Sequence, residues 1–242
     1  MSLSSAYIEP EVVSVPHDLK IVRRGAVPSS DFPRFLPLGE VLALYNRCLS
    51  LLDETTTPAI EFVSSVPREG TTTIVTEVAL AVCGLFKNRI LLIDATGAPS
   101  PLGRSLESEI PATLDTVLMG QAPITDALAT LPDVELHFAT LSIGGLNNHK
   151  QPTTRAVQTL FTRLRQYYEL ILVDGGATQG DHFSPVLARS VDGVVLVIEA
   201  ERTRMPVVDW SLQQLENSRA KLLGTVLNKR HYHIPKRVYD LM

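Results

Sequence analysis

Glu61-Phe62-Val63-Ser64-Ser65-Val66-Pro67-Arg68-Glu69-Gly70-Thr71-Thr72-Thr73-Ile74 decides the fold. It reads as a buried strand, a turn of small and hydroxyl residues, and the first turn of a helix continuing through Thr76, Val78 and Ala81. That is the layout of a phosphate-binding loop, in which successive backbone N–H groups face one concavity at a helix N-terminus and the helix dipole favours negative charge. Set against the pattern G-x-x-x-x-G-K-[ST], Gly70 fills the second glycine position and Thr72 the hydroxyl position, while Ser65 stands at the first glycine and Thr71 at the lysine. Arg68 is the one cation inside the loop, and the next basic residue along the helix is Lys87. The missing ammonium removes a charge-assisted contact worth about 1.5–3 kcal/mol. The loop predicts a nucleotide site of divergent chemistry. Taken alone, the segment also fits an ordinary strand-turn-helix junction with Ser and Thr as caps.

Around this loop the chain alternates strand and helix. Apolar runs at Arg89 to Ala95, Leu170 to Gly176, Gly193 to Ala200 and Leu222 to Asn228 predict strands, with Val134 to Leu141 as an edge strand. Helical patterns fill 71–87, 112–130, 153–168, 182–190 and 205–219, and one amphipathic helix precedes the first strand from Leu38 to Leu52. Apolar runs without alternation suit strands buried on both faces, and helices between them imply parallel crossovers. The fold class is α/β: a doubly wound, mostly parallel sheet flanked by helices, of the P-loop NTPase kind, with its ligands at the C-terminal ends of the strands.

Asp94 and Asp174 each close an apolar run at such a strand end. Paired there with a phosphate loop, they are candidate Mg²⁺ ligands together with Thr72, since Mg²⁺ takes oxygen donors and keeps waters and phosphates as the rest. The plainer reading makes each Asp a cap of its own turn.

At 242 residues the chain accommodates one α/β domain with appended segments. We divide it into an extended arm at 1–36, punctuated by Pro10, Pro16, Pro28 and Pro33, a P-loop domain at 37–228, and a basic, aromatic tail at 229–242. The arm's Lys20, Arg23 and Arg24 read as a solvated face. A net charge of −4 gives no reason to expect nucleic-acid binding. Cys48 and Cys83 lie in apolar helical patterns without C-x-x-C spacing, which fits a reducing cytosol. No apolar run has the length of a signal or a membrane span, so the expected location is the cytoplasm, with recruitment to the inner membrane face left to a partner.

These residues resemble the bacterial tyrosine kinases of capsule and exopolysaccharide assembly, in their free-standing cytoplasmic form. That family typically reads S-S-x-P-G-E-G-K-S-T at the loop, and Ser64 to Thr73 keeps Ser, Ser, Pro, Glu, Gly and two Thr. Leu91-Leu92-Ile93-Asp94-Ala95 is similar to the family's L-L-I-D-A-D-L-R-x-P, with Thr96 at the second Asp and Ala98 at the Arg. Leu114 to Gly120 resembles L-x-x-V-L-x-G, and Leu170 to Asp174 the third motif, with Gly175-Gly176 in place of Thr-Pro. Asp181, Val191-Asp192-Gly193, Thr203-Arg204 and Gly224 to Asn228 fall in the family's order.

The resemblance implies ATP or ADP with Mg²⁺, phosphate held around Arg68, Glu69, Gly70, Thr71, Thr72 and Thr73, and Asn228 near the base. It implies a membrane-anchored polysaccharide co-polymerase or chain-length regulator as partner, and a homo-oligomer. Of the family's C-terminal tyrosine cluster only Tyr232 and Tyr239 remain as phosphoacceptors, and its E-x-x-R-x-x-R helix pattern is altered at Ala43 and Asn46. With Asp94 and Asp174 kept but the loop lysine and second acidic residue lost, the expectation is a pseudokinase regulating polymerisation and export. The alternatives are an active tyrosine autokinase in which Arg68 replaces the lysine, an assembly module without nucleotide, and a MinD- or ParA-like ATPase, whose signature lysine would fall at Val66. In the tail, the mix of cations and aromatics from Lys229 to Met242 suits docking on an anionic membrane surface or a membrane partner; His231 and His233 lack an evident third metal ligand.

Overall fold

The computed structural model describes residues 36–52, 57–86, 88–97, 103–104, 110–131, 136–141, 152–180 and 184–230. The arm up to residue 35 and the tail from 231, with His231, Tyr232, His233 and Tyr239, lie outside them, as do Asp181 and Ala98.

Seven strands form one sheet: β1 Ala59–Ser64, β2 Ile90–Asp94, β3 Ala129–Thr130, β4 Leu136–Thr140, β5 Leu170–Ala177, β6 Gly193–Glu199 and β7 Leu222–Asn228. Their order is β3-β4-β2-β5-β1-β6-β7, parallel throughout except for the antiparallel β3–β4 pair. The helices are α1 Leu38–Ser50, α2 Thr71–Phe86, α3 Leu114–Leu118, α4 Thr154–Leu164, α5 Pro185–Ala188 and α6 Met205–Asn217. Because successive strand residues point to opposite faces, Ile60, Phe62, Leu92, Leu172 and Val195 pack under α1 and α2. Leu91, Ile93, Ile171 and Val173 meet Val157, Leu160 and Phe161 of α4 on the other face. Val63, Val194 and Leu196 meet Val208 and Leu215 of α6 there. The doubly wound sheet is therefore as expected, and the β1, β2 and β5 runs are buried along their lengths. Cys48 and Cys83 are buried, unbridged thiols on α1 and α2.

Two expectations are corrected. The helix expected over 112–130 is broken into α3, a 3₁₀ turn at Ile124–Ala127 and strand β3. Gly120 takes a left-handed φ of 69° just past the α3 end, and Pro123 stands immediately before the 3₁₀ turn; a left-handed glycine ends a helix and proline cannot continue one. β4 is not an edge strand, because β3 turns back and pairs with it, Ala129 opposite Phe138. The helix expected over 182–190 is described only as the single turn Pro185–Ala188, capped by the Ser184 hydroxyl.

Candidate functional site

The loop leaves β1 at Ser64 and enters α2 at Thr71. Arg68 and Gly70 hold left-handed φ angles of 73° and 95°, the backbone form that gathers consecutive N–H groups on one side. Among the described residues nothing accepts from the backbone N–H groups of Glu69 and Gly70. Thr71, at the lysine position, is buried, and its hydroxyl has no hydrogen-bond partner; the same holds for the Ser65 hydroxyl. The cradle is formed, and its lysine position ends in a short neutral side chain.

The strand register brings the two predicted carboxylates together. Asp94 on β2 lies directly opposite Asp174 on β5, and Asp174 lies opposite Phe62 on β1, so both point to the α2 side, about one strand spacing (~4.8 Å) apart. Asp94 accepts from the Thr96 backbone N–H at 3.1 Å and its hydroxyl at 2.7 Å. Thr96 thus supplies a neutral donor where a second carboxylate is expected. Both oxygens of Asp174 are buried without a hydrogen-bond partner. Burial pushes this carboxyl up to about 8; the facing Thr72 hydroxyl pulls the other way, and the Asp94 charge adds to the rise. Two orphaned carboxylate oxygens beside a threonine hydroxyl fit a hard divalent cation that completes its shell with phosphate and water. Thr72 and Asp174 are the residues that would hold Mg²⁺ directly, with Asp94 beside them.

Around the loop, Glu69 and Asn228 make contacts within the protein, and Thr178, Glu199 and Ser211 join them as residues that the sequence did not flag. The Glu69 carboxylate is fully buried and turned under the loop. Its Oε2 accepts from the N–H groups of Ser65 at 2.6 Å and Val66 at 2.9 Å; its Oε1 accepts from Glu199 N–H at 3.0 Å and from the Thr203 hydroxyl. Glu69 therefore staples the loop to the β6–α6 connection. A second buried chain runs from the Ser65 carbonyl through the Thr178 hydroxyl (3.3 Å) to Ser211 on α6 (2.8 Å). From β7, Asn228 Nδ2 donates to the Glu69 carbonyl at 2.7 Å, and Lys229 Nζ donates to the Arg68 carbonyl at 2.7 Å and pairs with Glu199 Oε2 at 3.0 Å. Arg68 is the cation within the loop, but Lys229 reaches it from the far end of the domain. Lys229 holds a left-handed φ of 54°, a feature that no sequence signal announces. Asp192, in the Val191-Asp192-Gly193 segment, is structural: it accepts from Ala59 N–H and pairs with Arg165, both at 2.7 Å.

No protein-family model matches the chain. The succinoglycan biosynthesis transport protein ExoP of Rhizobium meliloti is 25% identical over 187 residues, covering 75% of this chain and 23% of that protein. The chain thus spans under a quarter of the length of this curated relative. Among solved structures, the kinase domain of the Escherichia coli tyrosine kinase ETK matches with a TM-score of 0.69 at 19% identity, over 84% of this chain and 85% of that one. The septum site-determining protein MinD of Pyrococcus horikoshii, complexed with Mg-ADP, matches with a TM-score of 0.58 at 20% identity, over 77% of each chain. At these identities the structural likeness speaks to the fold. No helix among the described residues is long and apolar enough to cross a membrane. The resemblance read from the motifs is borne out: the chain is similar in sequence to a succinoglycan biosynthesis transport protein and carries the P-loop fold of a bacterial tyrosine-kinase domain.

Proposed function

We propose that the chain is a kinase-like regulator of exopolysaccharide polymerisation and export that holds a nucleotide with Mg²⁺ without transferring its phosphate. The observation that carries this reading is the pairing of a formed cradle and an orphaned Asp174 carboxylate with a buried, unpartnered threonine at the lysine position. Phosphoryl transfer depends on stabilising charge that builds on the moving group. Here the donors that hold a ground-state phosphate remain, and the ammonium that follows it into the transition state is replaced by Thr71. When bound, Mg²⁺ would neutralise phosphate charge between Thr72 and Asp174, with Asp94 beside them. The Arg68 to Thr73 segment would hold the phosphates through backbone N–H groups.

In this reading the signal passes to a membrane-anchored chain-length partner that brings the protein to the inner membrane face. The likeness to ExoP supports that assignment, and the basic tail suits the docking. Self-association through α1 belongs to the same proposal. Calorimetric titration of Mg·ATP and Mg·ADP, with a phosphotyrosine blot after incubation with Mg·ATP, tests it. Binding without tyrosine label is expected. Label on Tyr232 or Tyr239 would instead establish the autokinase reading, for which the position of Arg68 inside the loop speaks; absence of any binding would leave an assembly module.

A further inference from the structure

We propose that Asn228 and Lys229 are positioning residues of the phosphate cradle. They grip the carbonyls of Glu69 and Arg68 from outside the loop, at 2.7 Å each. In a trans peptide the C=O and the following N–H point in opposite directions. Holding the Arg68 carbonyl outward therefore turns the Glu69 N–H inward, and holding the Glu69 carbonyl does the same for the Gly70 N–H. These are the two N–H groups that no described residue accepts from. Glu199 fixes the Lys229 ammonium from its other side at 3.0 Å, and Glu69, stapled beneath, keeps the loop from retreating. Gly70 is part of the fit: a Cβ there would lie 2.2 Å from Asn228 Nδ2. The clamp keeps the donors aimed before an anion arrives, which replaces part of the ordering that a loop lysine otherwise supplies on binding.

The inference rests on reading the loop as an anion cradle, and its test separates the two claims. Backbone ¹⁵N relaxation is measured on the full chain without ligand, for the parent, Asn228→Asp and Lys229→Met, followed by calorimetry with Mg·ADP. Order parameters at Glu69 and Gly70 near the rigid value of about 0.85 are expected in the parent, falling below about 0.6 in Asn228→Asp. Lys229→Met is expected to lie between, β1 and β5 to be unchanged, and Mg·ADP affinity to fall about tenfold in Asn228→Asp. Unchanged order at both residues in both variants overturns the clamp, whatever ADP does. Clamp-dependent order in a parent that binds no Mg·ADP supports the clamp and sinks the nucleotide reading. If Asn228→Asp does not fold, Lys229→Met decides alone: full loop order in that variant overturns the proposal.

Discussion

Gly175 on β5 and Glu61 on β1 share one volume: a Cβ on Gly175 would sit 2.6 Å from Glu61 Oε1, 2.8 Å from Val63 Cγ1 and 2.9 Å from the Phe62 carbonyl. The glycine that departs from the family's motif is thus the counterpart of a buried carboxyl. Gly175→Ala is expected to destabilise the chain by about 1–3 kcal/mol, the cost of overpacking a filled interior. Combining it with Glu61→Ala should cost less than the sum of the two single changes, since the contacts are shared. Urea unfolding of the four proteins measures this; strict additivity would refute the coupling.

Glu61 also sets a pH dependence. Its Oε2 is buried without a partner, and burial, reinforced by the Asp174 charge, pushes the carboxyl from 4.5 up to about 8. Between those values the folded chain keeps a proton that the unfolded chain has released. The contribution of Glu61 to stability is therefore fully present below about 4.5 and is lost as pH rises towards 8. Thermal melts in Mg²⁺-free buffer across that range should fall with pH, and Glu61→Gln, neutral throughout, should make the fall shallower, with Asp174, also raised to about 8, supplying the rest. A variant with the parent's slope would locate the effect elsewhere.

Restoring the ammonium tests the divergent loop. Thr71→Lys removes a buried hydroxyl without a partner and adds a charge-assisted phosphate contact. Mg·ATP affinity should rise about tenfold, at the low end of the 1.5–3 kcal/mol assigned to such bonds. Isothermal calorimetry reads this directly, and equal affinities would mean that Thr71 does not face the phosphates.

Glu69→Gln keeps shape while replacing one acceptor oxygen with a donor. The carboxylate receives three backbone N–H groups and the Thr203 hydroxyl, so at least one donor is left facing another. A loss of about 2–3 kcal/mol is expected, the cost of an unsatisfied buried group, together with weaker nucleotide binding. Chemical denaturation checks the first, and a variant as stable as the parent would show that the staple is dispensable.

The central strands were legible because their apolar runs have no alternation: Ile90 to Asp94 and Leu170 to Asp174 admit little but a strand buried on both faces. The Asp94–Asp174 pairing followed from the rule that ligands gather at strand ends, and the observed register places the two directly opposite each other. The 112–130 segment misled because Leu114, Val117 and Leu118 carry a helical period that Gly120 and Pro123 then cut. Glu69 read as a phosphate-loop residue whose carboxylate, in the structure, turns away from the cradle and under it. Only tertiary packing decides which side of a tight turn a side chain takes. Lys229 lies 161 residues from the carbonyl it holds, and no local pattern encodes such a meeting.

The two borders of the sheet are unequal. β3 is two residues long and antiparallel, too short to template another strand. β7 offers seven residues, with Leu222 and Leu227 40% and 58% exposed, and among the described residues no further strand pairs beyond it. Among the described residues, β7 is the border long enough for backbone pairing between molecules. Pairing of two copies through β7 alone would use that border in each, and growth would then stop at a pair instead of running on into a fibre.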